Sequence, residues 1–250
     1  MRRRAVGVRS TTYFRILLAM ASLVVATVPA AARSLLVADV GTASVLRYDG
    51  ATGAFIDAFV SSGSGGLSVP IGLEFGPDGN LYVASMGTNQ VLRYNGSTGA
   101  FIDVFVSDAA HLSGPGDLKF GPDGNLYVVN YNLGNISRFN GATGQFIDVF
   151  VPQGSGGLHT IAFFYFRPDG YLYGAGNGSG FDGRIFRYSA ATGQYVDTLV
   201  SGRSAAVQDI VFGADNSIYG SFFHNNAGVE RYDGVTGTFL GTVIPGGTGG

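Results

Sequence analysis

The sequence predicts an all-β fold: a β-propeller of four-stranded antiparallel blades. Three observations lead there. A unit of about 46 residues recurs, marked by the aromatic that follows a repeated arginine at Tyr48, Tyr94, Phe139, Tyr188 and Tyr232, in steps of 46, 45, 49 and 44 residues. Periods of this length belong to solenoids and propellers, and strand content decides between them. Each unit reads as four short strands with no helical period. Each unit also holds two tight turns, which the shorter rungs of a parallel β-helix would not contain.

One copy shows the elements in order. Val69 to Phe75 is the first strand, with Leu73 and Phe75 on one face. Gly76-Pro77-Asp78-Gly79 is a turn: Pro presets φ, Asp bonds its own backbone, and Gly accepts left-handed geometry. Leu81 to Ser85 is the second strand, Met86 to Gln90 a polar loop, and Val91 to Tyr94 the third strand. Asn95-Gly96-Ser97-Thr98-Gly99 makes a hairpin into the fourth strand, Ala100 to Val106. The first turn recurs at Gly121-Pro122-Asp123-Gly124, Arg167-Pro168-Asp169-Gly170 and Gly213-Ala214-Asp215-Asn216. The hairpin recurs at residues 49–53, 140–144, 189–193 and 233–237.

The blades fall at about 35–60, 69–106, 115–151, 160–200 and 207–244 within a domain covering residues 33–250. Leu35-Leu36-Val37-Ala38-Asp39 aligns with a second strand, so the first blade lacks its innermost strand. A bare inner edge exposes unpaired backbone groups. The expectation is therefore five blades truncated from a six-bladed or larger ring, with a gap beside blade one. An imperfectly closed ring is the alternative.

Residues 1–32 stand outside the repeat. Arg2, Arg3, Arg4, Arg9 and Arg15 precede an apolar run from Ile16 to Val28 and then Pro29-Ala30-Ala31-Ala32. Basic leader, short apolar core and small residues predict a secretory signal peptide, cleaved after Ala32. The core is short for a membrane span, which needs roughly 20 residues. A secreted or periplasmic location follows, with no stable membrane insertion after cleavage.

The chain of 250 residues carries 15 basic and 17 acidic side chains. Removing the five leader arginines leaves 10 against 17, and Lys119 is the only lysine. Such a surface is a poor match for phosphate backbones, so nucleic acid is an unfavoured partner. No cysteine is present, which excludes disulfide and thiolate chemistry. No phosphate-cradling loop, nucleophile elbow or paired carboxylate motif appears.

The run Gly-Pro-Asp-Gly-Asn-Leu-Tyr-Val at residues 76–83, a polar loop, then Val-Leu-Arg-Tyr-Asn at residues 91–95, resembles NHL-type repeats. It is also similar to the propellers of streptogramin B lyase and the gluconolactonase-like enzymes. The resemblance covers Leu35 to Ile244 and implies a propeller, commonly six-bladed, in an exported bacterial protein. Streptogramin lyases pair a Glu and a His two residues apart. Here Glu74 and Glu230 have no such His, so the resemblance does not carry lyase activity over. Gluconolactonase-like enzymes bind a divalent cation through Glu, Asn and Asp at the axis. The nearest analogues here are Asp117, Asn130 and Asp209, an oxygen-rich set suited to Ca²⁺ or Mg²⁺.

Topology places the loops after second and fourth strands on one rim, with His111, Asn132, His159, Asp182, His224 and Asn225 in or beside them. Loops carry function while a scaffold repeats. These residues are the candidate ligand-binding set, and the partner expected is a protein, a glycan or a small molecule. A metal-dependent lyase or lactonase with its site at the axis is the alternative. Arg47, Arg93, Arg138 and Arg187 on third strands are expected opposite Asp57, Asp103, Asp148 and Asp197 on fourth strands, a structural pairing. Gly241 stands where Arg231 would need its aspartate.

Overall fold

Alternation of apolar residues every second position, punctuated by glycine-rich turns, gives the described residues strands and nothing longer than single-turn helices. The computed structural model describes residues 34–178, 180, 182–203, 205–223 and 228–247. The expected signal peptide lies outside them. Among the described residues five antiparallel sheets form, each a blade with its strands in chain order. Blade one holds β1 (Ser34–Asp39), β2 (Ser44–Asp49) and β3 (Phe55–Val60). Blade two holds β4 (Pro70–Phe75), β5 (Leu81–Ser85), β6 (Gln90–Tyr94) and β7 (Phe101–Val106). Blade three holds β8 (Pro115–Phe120), β9 (Leu126–Asn130), β10 (Asn135–Phe139) and β11 (Phe146–Val151). Blade four holds β12 (Thr160–Phe166), β13 (Tyr171–Asn177), β14 (Gly183–Ser189) and β15 (Tyr195–Arg203). Blade five holds β16 (Ala206–Phe212), β17 (Ser217–Phe223), β18 (Val229–Asp233) and β19 (Phe239–Ile244). The molecule is a five-bladed propeller whose first blade has three strands.

Each blade has two apolar faces, as a sheet covered on both sides must. Leu73, Leu81, Val83, Leu92 and Tyr94 of blade two meet Leu36, Ala38, Val45, Phe59 and Val60 of blade one. On the other face, Tyr82, Ala84, Val91, Phe105 and Val106 meet Leu118, Leu126, Val128 and Phe139 of blade three. The same layers join blades three to four and four to five. At roughly 1.5–3 kcal/mol for each large apolar side chain removed from water, these layers are the main source of stability.

The expected arginine pairs form, and the register explains them. Arg93 stands opposite Asp103, and its Nε and Nη2 donate to the carboxylate at 3.0 and 2.5 Å. Arg138–Asp148 and Arg187–Asp197 repeat this fork, and Arg47 meets Asp57 in the same way. The guanidinium of Arg93 also lies 5.1 Å from the ring centre of Phe105. With the carboxylates over 40% exposed, each pair contributes about 0.2–1 kcal/mol and fixes register more than it stabilises. Arg231, opposite Gly241, turns instead to Asp215 at 2.5 Å and to Ser217 Oγ at 2.9 Å.

At one hairpin position the blades meet backbone to backbone. The hairpin glycine Gly99 of blade two has φ +71°, and a Cβ there would overlap the Phe59 carbonyl oxygen of blade one. Gly144, Gly193 and Gly237 stand in the same way against the carbonyls of Phe105, Phe150 and Leu199. Gly53 occupies the same hairpin position in blade one, with φ +72°, and a Cβ added there would meet nothing within 4 Å.

The two end blades accordingly differ from the inner ones. Leu35, Val37, Leu46 and Tyr48 of blade one are only half-buried, whereas their counterparts in blade two, Leu81, Val83, Leu92 and Tyr94, are fully buried. Val243 and Ile244 of blade five are 50% and 49% exposed, against 8% and 1% for Phe105 and Val106.

Equivalent substitutions should therefore have unequal effects. Gly53→Ala meets only the left-handed strain, about 1–2 kcal/mol, whereas Gly99→Ala adds a backbone clash and should lose at least twice as much. Urea unfolding of the two variants measures the difference.

Candidate functional site

The inner strands β4, β8, β12 and β16 turn Leu73, Leu118, Phe164 and Ile210 into the blades, where all are buried. Alternation then aims their neighbours at the axis: Gly72 and Glu74, Asp117 and Lys119, Phe163 and Tyr165, Asp209 and Val211. Gly72 is needed where β4 comes closest to β8, because a Cβ there would sit 2.6 Å from the Gly116 carbonyl oxygen.

Each inner strand contributes a polar side chain to one cluster. Lys119 Nζ lies 3.1 Å from Asp117 Oδ1 and 3.5 Å from Glu74 Oε2. Asp117 is fully buried, and its other oxygen accepts from the Phe164 N–H at 3.3 Å, tying blade three to blade four. Tyr165 Oη donates to Asp209 Oδ1 at 3.0 Å, and Lys119 Nζ stands 5.6 Å from the Tyr165 ring centre.

Burial governs the protonation of the cluster. Burial raises Glu74 above the usual carboxylate range, against the attraction of Lys119. Asp117 is raised for the same reason. Asp209 is pushed up to about 7, first by burial and then by the Asp117 charge, against hydrogen bonds from the Ile210 N–H and Tyr165. Burial works to lower Lys119, but Asp117 and Glu74 outweigh it and hold the ammonium charged. Tyr165 is raised by burial and by the carboxylates around it. The axis thus carries a fixed ammonium, two carboxylates beside it, and a carboxyl poised near neutrality next to a phenol. Such a set can exchange a proton with a molecule at the axis.

The two aspartates suggested as cation ligands, Asp117 and Asp209, meet in this cluster; Asn130 does not. Its Oδ1 accepts from the Ser113 N–H at 3.1 Å, and its Nδ2 donates to the His111 carbonyl at 3.0 Å and to Ser137 Oγ at 2.8 Å. Asn130 pins the linker that enters blade three. Among the described residues no group of three His, Cys, Asp or Glu side chains is arranged to hold a metal ion. A divalent cation between Glu74 and Asp117 would need the place that Lys119 Nζ holds, so this donor set does not fit one as it stands.

The rim residues divide. His111 sits on the linker into blade three, where Gly65 and Gly156 sit on the linkers into blades two and four. Those glycines lie against the rings of Phe101 and Tyr195, and the His111 imidazole stacks on the equivalent Phe146, 3.6 Å between centroids and 10° from parallel. Its Nδ1 is 2.8 Å from Asp108 Oδ2. The other described candidates fall along one edge of blades three and four. Asn132, beside the 48%-exposed Tyr131, donates to Ser113 Oγ at 3.3 Å. The His159 carbonyl lies against Gly134, and its N–H donates to the Asn177 carbonyl at 2.8 Å. Asp182 follows in the next loop, paired with Arg184 at 2.6 Å. Asn177 Oδ1 is buried and accepts no hydrogen bond among the described residues. His224 and Asn225 lie outside the described residues.

Glu74, Lys119 and Tyr165 were missed by the sequence reading. A signal was present: Lys119 is the only lysine, and aligning the repeats puts Glu74, Lys119, Tyr165 and Val211 in one column.

No protein-family model and no curated protein matches the chain. Solved structures do. A gluconolactonase from Xanthomonas campestris superposes with a TM-score of 0.66 at 16% identity, covering 86% of this chain and 73% of that one. Virginiamycin B lyase from Staphylococcus aureus gives 0.62 at 15% identity, covering 86% and 66%. The extracellular domain of a hybrid two component system from Bacteroides thetaiotaomicron gives 0.61 at 18% identity, covering 85% and 28%. The likeness is one of fold. The chain spans between about a quarter and three quarters of the length of these proteins. No helix among the described residues is long and apolar enough to cross a membrane.

Asp209 sets a pH dependence. The unfolded chain releases this proton near pH 4, whereas the folded chain keeps it until about pH 7. Across that window the folded state binds the extra proton, so stability falls as pH rises. Glu74 and Asp117 slope the same way. Asp209→Asn should flatten the decline by on the order of 2–4 kcal/mol, read from urea unfolding at pH 4.5 and pH 8.

Proposed function

We propose that this chain is an exported β-propeller that binds a protein, glycan or small-molecule ligand through the edge formed by Tyr131, Asn132, His159 and Asp182. The observation that carries the reading is the state of His159. Its backbone is fixed by the hydrogen bond to Asn177, while its exposed imidazole makes no hydrogen bond to any described residue. A rigid backbone that presents an unspent donor and acceptor suits recognition, because little ordering entropy remains to be lost. The exposed ring of Tyr131 adds an amphipathic contact surface. The basic leader with its apolar core supports export, and the extracellular placement of the Bacteroides propeller accords with it.

A second reading draws on the axis: a lyase or lactonase-like enzyme in which Asp209, with Tyr165 hydrogen-bonded to it, moves the proton. Gluconolactonase and virginiamycin B lyase among the similar structures support this reading at the level of fold. A divalent cation could join this reading only by displacing Lys119 Nζ from between Glu74 and Asp117. Stabilisation by Ca²⁺ or Mg²⁺ that vanishes in Asp117→Ala or Asp209→Ala would speak for the cation.

The two readings separate by mutation. In a glycan-array and fragment-library screen, the Asn132→Ala/His159→Ala double variant should lose every hit of the parent chain by at least tenfold, with its melting temperature unchanged. Hits that persist in that variant but disappear in Asp209→Asn would move the site to the axis.

A further inference from the structure

The edge of blades three and four departs from the repeat that builds it. Aligning the copies gives the matching edge of blades one and two, where Val40 and Gly41 follow β1 and Ser62 and Ser68 lie in the linker. There the scaffold uses its polar groups: Ser62 Oγ donates to the Thr42 carbonyl at 2.5 Å, and the Ser68 N–H and carbonyl both bond to Ser85 Oγ. In blades three and four the same positions hold Tyr131, Asn132, Gln153 and His159, all exposed. The Gln153 side chain and the His159 imidazole make no hydrogen bond to any described residue, and Asn132 spends only its Nδ2, on Ser113 Oγ. Four larger side chains thus stand where the matching edge folds without them.

Two glycines bring them together. Gly134, with φ +59°, closes the turn that carries Tyr131 and Asn132 by donating to the Asn130 carbonyl at 2.8 Å. A Cβ there would lie 2.4 Å from the His159 carbonyl oxygen and 3.2 Å from Gln153 Nε2, so turn and linker touch. A Cβ at Gly114, with φ +61°, would lie 2.7 Å from Asn132 Nδ2, so this amide rests over the linker into blade three.

The chemistry of the set selects its ligand. An amide presents donors and an acceptor in one plane, and a neutral imidazole presents one of each. Hydroxyl groups on adjacent carbons match such pairs, because each hydroxyl also donates and accepts. The Tyr131 ring, 48% exposed, offers a face of negative potential that suits C–H groups. The charged side chains that follow along the edge, Asp182 and Arg184, neutralise each other at 2.6 Å. A protein partner would need about 800 Å² of surface, yet Tyr131 is the one exposed large apolar side chain of this edge among the described residues.

Resting on the binding edge proposed above, we propose that its ligand is a neutral saccharide. A pyranose ring lays its C–H face on Tyr131 and sets its hydroxyls on Asn132, Gln153 and His159. Gln153 thereby joins the site as a residue that contacts the ligand.

The test places the full chain on an array of neutral and anionic oligosaccharides, with the fragment library run beside it. The hits should be neutral. In calorimetry on the strongest hit, Tyr131→Ala should weaken binding by about tenfold, Gln153→Ala by about threefold, and Tyr131→Phe, which keeps the ring, by less than about twofold. Melting temperatures should match the parent, since all these side chains are exposed. An array with no neutral hit overturns the inference, as does a preference for anionic glycans or equal affinity of Tyr131→Ala. Fragment hits lost in Asn132→Ala/His159→Ala, with no saccharide bound, would overturn the saccharide alone and leave the edge as a binding site. Absence of hits of every kind overturns both.

Discussion

The spacing between blades rests on a contact that has no side chain in it. Wherever one blade follows another, the glycine of a Thr-Gly hairpin lies against a carbonyl of the preceding outer strand. The left-handed φ lets the hairpin close, and the missing Cβ lets the two backbones meet. That approach sets how far apart the apolar layers lie, so Tyr94 can bury fully under Phe59 and Val60 of the blade before it. Because the fit is between backbones, each interface can repeat while the side chains around it vary. Blade three shows this tolerance. Tyr94 and Tyr188 anchor the linkers of their blades by donating to Ser64 and Ser155 carbonyls. Phe139 has no hydroxyl, and Asn130 with Ser137 holds the linker by the His111 carbonyl instead.

Much of this was legible in the chain. The period fixed the strand count, and the turns fixed which pairs of strands are hairpins. The offset between each arginine and its aspartate gave a register that the ladders reproduce. What could not be read was convergence. Glu74, Lys119, Tyr165 and Asp209 are separated by about one repeat each, and only the stacking of four successive blades brings their inner strands to one axis. The fate of Arg231 was hidden for a related reason. A fourth-strand partner was visibly absent at Gly241, but the reach to Asp215 runs through the opposite turn of the same blade. His111 was legible as a rim residue, but its stacking could not be read: it stands where Gly65 and Gly156 stand in other linkers, and its ring lies on Phe146.

The molecule therefore holds its buried titratable cluster and its exposed rim side chains apart. The axis gathers titratable side chains that largely satisfy one another, under burial strong enough to move their protonation. The edge of blades three and four offers the His159 imidazole, which makes no hydrogen bond to a described residue, beside Asn132 and Asp182, which are bonded to Ser113 and Arg184. Both depend on the same repeat: strand alternation selects what faces the axis, and linker length selects what stands at the edge.

Gly53 gives the arrangement a direction. It keeps the hairpin conformation of its four counterparts and meets nothing. A chain built so that each blade touches only its neighbours behaves as a short one-dimensional lattice, in which interior units have two stabilising interfaces and terminal units one. Among the described residues, blades two, three and four each pack on two neighbours and blades one and five on one, so a substitution in blade three bears on two interfaces at once.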